Sequence, residues 1–265
     1  MATKSLRTAA TGMYAQQLNI QVISNNIANI NTTGFKKNKA EFQDLMYQEI
    51  PSSNLAQNNI AGPQASGEML QVGSGVKASS TQKIFKQGDL QPTNNSLDLG
   101  INGEGFFQVR KADGTFAYTR DGSFKISGEG RVVTASGYVL EPDITLDDDV
   151  LQINISRDGE ISVQSTGGNS YVLDNIQLVR FMNPGGLEAL GDNLYAETEG
   201  SGQPMFGTPG ADGFGEIQQG FLEASNVDIV EEMIAMITAQ RAYEINSKTV
   251  QTVEEMMTIT NNLKR

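Results

Sequence analysis

The sequence contains no cysteine, no histidine and no tryptophan. Those absences exclude disulfides, thiolate nucleophiles, histidine-ligated metals and Ser–His catalysis. Aromatic residues are scarce at 7%, and the apolar share is 38% with 28 glycines, so a lean core with many turns is expected rather than a disordered chain. No apolar run approaches the ~18 residues of a membrane span. The N-terminal "MATKSLRTAATGMYAQQL" carries Lys4 and Arg7 but no apolar segment or small-residue cleavage site, so it does not read as a secretory signal. Positive charge is in deficit as well. A formal net charge of −12 repels nucleic acid and anionic membrane surfaces, and neither is expected as a partner. At 265 residues the chain is long enough for one large domain or two ordinary ones.

What is present is periodic at both ends. Leu6, Met13, Ile20 and Ile27 fall at steps of seven, with Ala9, Ile23 and Ile30 three positions further on and Gln16 the one polar member. This is an a/d heptad seam, and it predicts a helix over about residues 3–31, about 42 Å long at ~1.5 Å per residue. Gly34 ends it in a left-handed conformation, with Lys36 and Lys37 near the negative helix end. Near the C-terminus Ile229, Met236, Tyr243, Val250 and Met257 step by seven again, flanked by Val230, Met233, Ile237, Val253 and Leu263. Ser225 or Asn226 is a candidate N-cap there, Asp228, Glu231 and Glu232 suit the first turns, and Lys264 and Arg265 the last.

Between the helices the pattern is β. Runs such as "FFQVR", "FAYT", "FKIS", "RVVT", "YVL", "LQINIS", "ISVQ", "IQLVRFM" and "NLYAET" alternate with Asp113–Gly114, Asp121–Gly122, Ser136–Gly137 and Asp158–Gly159. Short alternating runs joined by such dipeptides predict antiparallel hairpins. "FKKNKAEFQDLMYQEI" (35–50) is compatible with a short helix or with extended chain, and the polar, Gly/Pro-containing stretch after it reads as a long irregular arm. The expected fold class is α+β: long N- and C-terminal helices whose seams can pair as a coiled coil (1–33 and 221–265), a connecting region (34–75 and 201–220) and an antiparallel β domain (76–200).

Candidate chemistry is thin. Asp147, Asp148 and Asp149 are adjacent carboxylates without the spacing of a calcium loop, and a solvated turn accounts for them. "GSGV" (73–76) and "NGEGFF" (102–107) lack the Lys-Ser/Thr or dinucleotide pattern of a phosphate cradle. No catalytic, cofactor or metal residue is assigned.

The segment "SNNIANINTTGFKK" (24–37) concentrates asparagine, a mediocre helix former, at the end of a helix. It resembles the N-terminal signature of the bacterial flagellar rod and hook family. "LEASNVDIVEEMIAMITAQRAYEINSKTVQTVEEM" (222–256) is similar to that family's C-terminal signature, and "GEGFFQV" (103–109), "YTRDGSF" (118–124) and "GDNLYAET" (191–198) resemble its β-domain motifs. "FQDLMYQEI" (42–50), "RAYEINSK" (241–248) and the overall length look most like distal-rod members. The resemblance implies a non-enzymatic structural subunit without cofactors. It would polymerise into a straight hollow tube that carries torque to the hook. The implied partners are itself, proximal rod proteins and hook protein, outer-membrane and peptidoglycan ring proteins, and the flagellar type III export apparatus. The implied location is the basal-body rod crossing the periplasm, reached without a cleaved signal. A proximal-rod or hook subunit is the nearest alternative, and a secreted β-rich binding module the alternative from another class.

In that picture the assembly residues are Leu6, Met13, Ile20, Ile23, Ile27, Ile30, Ile229, Met236, Tyr243, Val250 and Met257 on the seams, with Asn25, Asn26, Asn29, Asn31 and Asn246. Two readings of the asparagines stand. Buried in the seam, they fix its register against Asn246, Ser247 or a neighbouring subunit; exposed, they cap the helix and form a turn. Residues 44–75 are either an arm that stiffens the assembly or a surface loop. Acidic residues such as Asp113, Asp121, Glu129, Glu141 and Asp143 would keep an outward β face hydrated beside a surrounding bushing.

Overall fold

The computed structural model describes residues 2–50, 70–146, 150–166 and 170–263. The tri-aspartate 147–149, Lys264 and Arg265 and most of the 44–75 arm lie outside them. The chain divides into two compact units: Met1–Ser24 with Lys39–Thr81 and Val230–Arg265, and Asn25–Asn38 with Gln82–Ile229.

The first unit contains nearly all of two long helices, α1 (Ala2–Ala28) and α2 (Ile229–Leu263). With them are β1 (Asn38–Asp44), β2 (Gln48–Ile50), β3 (Leu70–Val72) and β4 (Val76–Lys83). β1 pairs with β4, and β2 with β3 in register Gln48 to Val72. The 35–50 stretch is therefore extended. α1 stops at Ala28, three residues short of the expected end, so Ile30 falls in the turn that follows.

The second unit is β. Its strands are β5 (Leu90–Pro92), β6 (Leu99–Asn102), β7 (Phe106–Arg110), β8 (Phe116–Thr119), β9 (Lys125–Ile126), β10 (Val132–Val133), β11 (Val139–Leu140) and β12 (Val150–Ile155). They continue with β13 (Glu160–Ser165), β14 (Ser170–Asn175), β15 (Leu178–Arg180), β16 (Glu188–Gly191), β17 (Leu194–Ala196), β18 (Met205–Gly207), β19 (Glu216–Gln219) and β20 (Phe221–Glu223). β16-β17-β8-β7-β11-β10-β9 form one antiparallel path, with β15 and β18 branching from β7. β12-β13-β14 form a separate three-stranded sheet.

Successive residues of a strand point to opposite faces, and β7 uses this fully. Phe107 enters a large core with Leu140, Leu178, Leu194 and Ile217, while Phe106 enters a second, aromatic cluster with Tyr118, Val179, Phe181 and Tyr195. That cluster packs edge to face, with Tyr118 and Phe181 centroids 4.8 Å apart and Phe85 5.2 Å from Tyr195. The centre of the sheet is thus buried on both sides, which is why two consecutive residues, Phe106 and Phe107, are both large and apolar where a half-exposed strand would alternate. Asp113–Gly114, Ser136–Gly137 and Asp158–Gly159 form hairpin turns with glycine in the left-handed region. Asp121–Gly122 does not. Gly122 lies against the backbone of Leu99, where an added Cβ would sit 1.7 Å from the carbonyl oxygen, and it leads β8 across to β9 instead of folding it back.

Candidate assembly surface

Each helix has one side more buried than the other. On α1 Ala9 and Ile23 are buried and Leu6, Met13, Gln16 and Ile20 half-buried; among large apolar residues described on this helix only Tyr14 stands exposed. On α2 Ala239 and Val253 are buried, and Met236, Asn246, Val250 and Met257 half-buried. Tyr243 and Ile229 occupy seam positions but are exposed. Glycine within a helix costs about 1 kcal/mol relative to alanine, and Gly12 marks a close approach: a Cβ there would lie 2.9 Å from Asn246 Nδ2. A cleft of about 530 Å³ beside it is lined by Lys4, Arg7, Thr8, Val72, Ser74 and Asn246.

α2 carries a second apolar face that its seam does not account for. At 3.6 residues per turn, Val230, Ile234, Ile237, Ile245 and Ile259 project away from the side holding Ala239, Asn246 and Val253. Each of them is at least half exposed, and Leu263 is 82% exposed. Exposed Arg241, Glu244 and Lys248 divide this face into an N-terminal and a C-terminal patch. Of the residues expected to flank the seam, only Val253 is buried; Val230, Met233, Ile237 and Leu263 lie outside it. Their spacing fits a helix, but a helix has two sides and spacing alone does not say which one the chain covers. A smaller exposed set, Phe42, Met46, Tyr47 and Val72, sits on the β1–β3 strands and the link between them.

The asparagine cluster ends α1. Asn26 is 1% exposed, and its side chain grips the Asn38 peptide from both sides: Nδ2 donates to the carbonyl and Oδ1 accepts from the amide, each at 2.9 Å. Asn29 Nδ2 donates to the Asn25 carbonyl at 2.9 Å and its Oδ1 accepts from the Thr32 hydroxyl. Asn25 and Asn31 are exposed, Ile27 and Ile30 half-buried. Within the chain, then, the buried partner of Asn26 is a backbone segment twelve residues on, while Asn246 faces Gly12. Ser225 and Asn226, the two candidate N-caps, lie four and three residues before α2 begins, and Asn226 is engaged elsewhere. Its side chain accepts from Lys37 N at 2.8 Å and donates to the Ile84 and Lys86 carbonyls at 2.8 and 3.0 Å.

The least expected feature lies in the second unit. Lys36, Glu223 and Arg120 are buried together. Lys36 Nζ donates to Glu223 Oε1 at 2.5 Å and to the Lys86 carbonyl at 2.9 Å. Gly88 N donates to the same carboxylate oxygen at 2.9 Å. Arg120 donates to Glu223 Oε2 at 3.4 Å and to the Gly103 carbonyl at 2.8 Å, and lies over the Phe106 ring. Burial holds the Lys36 ammonium below its usual range; Glu223 opposes that shift and Arg120 adds to it. Burial likewise lowers Arg120 against the pull of Glu223, and raises the neighbouring Tyr195 hydroxyl to about 12. No local pattern marks these three as partners: they lie in the separate motifs 24–37, 118–124 and 222–256, and only the topology brings them together.

Of the acidic residues, Asp143 and Glu141 pair with Arg110 at 2.7 and 3.2 Å. No group of three potential metal ligands occurs among the described residues, and no described helix is long and apolar enough to cross a membrane.

Three family models match the chain: "Flagella basal body rod protein" over residues 6–36, "Flagellar hook protein FlgE/F/G D1 domain" over 100–163 and "Flagellar basal body rod FlgEFG protein C-terminal" over 218–263. Among curated proteins, flagellar basal-body rod protein FlgG of Borreliella burgdorferi is 50% identical, covering 99% of both chains. FlgG of Caulobacter vibrioides is 47% identical over 98% of this chain and 99% of its own, and FlgG of Bacillus subtilis 38% identical over 99% of each.

Proposed function

This chain belongs to the flagellar basal-body rod family of FlgG and is a structural subunit of the distal rod, and we propose that it builds that rod as a straight, hollow helical homopolymer carrying motor torque to the hook. The observation that supports self-assembly is the second apolar face of α2. A helix wrapped only by its own chain needs one apolar stripe; Val230, Ile234, Ile237, Ile259 and Leu263 supply another, left in water. The occupant is a second copy. Head-to-tail contacts that do not close into a ring continue as a helix.

In this reading residues 1–33 and 221–265 form the inner coiled-coil domain, completed only on assembly. Residues 34–75 and 201–220 connect it to the β domain of 76–200, with the 44–75 arm limiting tilt between neighbours. The seam residues Leu6, Met13, Ile20, Ile23, Ile27, Met236, Tyr243, Val250 and Met257 work with the outward face. Proximal rod and hook proteins are the axial partners, ring proteins of the peptidoglycan and outer membrane surround the rod as it crosses the periplasm, and the flagellar type III apparatus exports the subunit. The role is mechanical, and no catalytic step is assigned.

Replacing Ile234 and Ile237 together by aspartate tests the carrying observation. Surface changes of this kind move the stability of a folded unit by roughly 0.5 kcal/mol or less, so the unfolding of the β unit should be unchanged. Growth of sedimentable polymer from sheared seeds should be lost. Polymer formed at the wild-type concentration would rule this face out as the contact.

A further inference from the structure

Three segments far apart in sequence meet around Glu223: residues 34–37 just after α1, residues 84–89 at the entrance to the β unit, and residues 223–226 just before α2. Main-chain bonds tie them pairwise. Gly34 N donates to the Glu223 carbonyl at 2.8 Å, Ile84 N to Lys37 at 2.9 Å, Ala224 N to Asp89 at 2.8 Å and Asn226 N to Phe35 at 3.4 Å. Side chains then lock the trio. The Glu223 carboxylate takes Lys36 Nζ, Gly88 N and Arg120, and the Asn226 amide bridges Lys37, Ile84 and Lys86. Space is tight: a Cβ at Gly88 would sit 2.0 Å from the Ala224 carbonyl oxygen.

We propose that this cluster is a clamp that holds the root of α1 and the root of α2 together in the unassembled chain, so that the two helices start side by side when a subunit joins the rod. The inference rests on the preceding reading, in which the helices complete their folding on assembly. Lys36 and Glu223 are 187 residues apart. Helices rooted at unconnected points would have to find each other from an open chain, whereas rooted at one point they pair as an intramolecular event at high effective concentration. The choice of buried charge fits that task. An apolar contact tolerates sliding, but a buried carboxylate with two cations and a backbone amide is satisfied in one register only, because each partner left unpaired is costly. The clamp therefore forms only when the segments 34–37 and 223–226 are both correctly seated.

Hydrogen exchange on the full-length monomer, combined with seeded growth, tests this. In the wild-type monomer the amides of Gly34, Lys37, Ile84, Gly88, Ala224 and Asn226 should exchange as slowly as those of β7, while amides within residues 4–22 and 232–260 exchange at least 100-fold faster. Glu223→Gln should leave β7 protected, speed exchange of the clamp amides at least 10-fold and slow growth on sheared wild-type seeds at least 10-fold. If Glu223→Gln costs β7 its protection, Asn226→Ala, which removes only neutral hydrogen bonds, is read in its place with the same expectation. Clamp amides that exchange with the helices in the wild type, or growth unchanged once they are opened, overturns the clamp alone. Helices as protected as β7 in the wild-type monomer overturns the assembly-coupled folding on which it rests.

Discussion

The β unit and the helices bury different things. In the β unit Phe107, Leu178, Val179 and Ile217 are sealed completely, and a charged trio is sealed with them. In the helix unit the buried apolar positions are mostly small, Ala9, Ala15, Ala40 and Ala239 among them, while Ile234, Ile245 and Ile259 stay in water. Burial of apolar area is the main favourable term in folding, roughly 25 cal/mol per Å². The first region has collected that term within one chain; the second has left much of it uncollected. In the proposed assembly the body is finished alone and the ends are finished by neighbours.

That contrast is open to direct attack. The largest effect should come from Phe107→Ala, which empties a fully buried site and costs about 3–5 kcal/mol in the unfolding of the β unit. Ile234→Ala in the same assay should cost roughly 0.5 kcal/mol or less. Equal losses in denaturant unfolding of the two monomers would erase the distinction between the regions.

A smaller effect separates them by pH. Burial raises Tyr118 and Tyr195 to about 12, with Glu197 adding to the shift at Tyr118. Each folded tyrosine keeps a proton that the unfolded chain gives up near the ordinary tyrosine value of 10.0. Their contribution to stability is whole below pH 10 and is lost as pH rises toward 12. Ultraviolet titration of phenolate should show a late component that Tyr118→Phe and Tyr195→Phe each reduce. A titration without that component would mean the aromatic cluster is open to solvent.

Local rules carried much of the architecture. Every seventh residue of a helix returns to nearly the same side, and Leu6, Met13, Ile20 and Ile27 on α1 and Met236, Val250 and Met257 on α2 are all at least half-buried, whereas Tyr243 in the same register is exposed. Asp113–Gly114 and Asp158–Gly159 marked real hairpins because a turn is a local event. The failures share a cause: the deciding partner is remote. Asp121–Gly122 carries the same dipeptide, but the backbone of Leu99 fixes its role. Asn226 resembles a cap and is taken by Lys37, Ile84 and Lys86. Val230, Ile237 and Leu263 read as seam flanks, although their side of α2 is uncovered in a single chain. Lys36 and Glu223 look like ordinary surface charges until the fold buries both. The asparagines around Asn26 show both sides of this. Their local chemistry points to a helix end, and the grip on Asn38 is settled only by the returning chain.

Electron microscopy of the purified full-length chain at rising concentration, with sheared fragments added as seeds, bears most directly on the central claim. The account predicts straight tubes that lengthen from the seeds. Curved tubes would contradict a distal-rod subunit in favour of a hook-like one, and a chain that stays monomeric with seeds present would contradict self-assembly through its uncovered helix face.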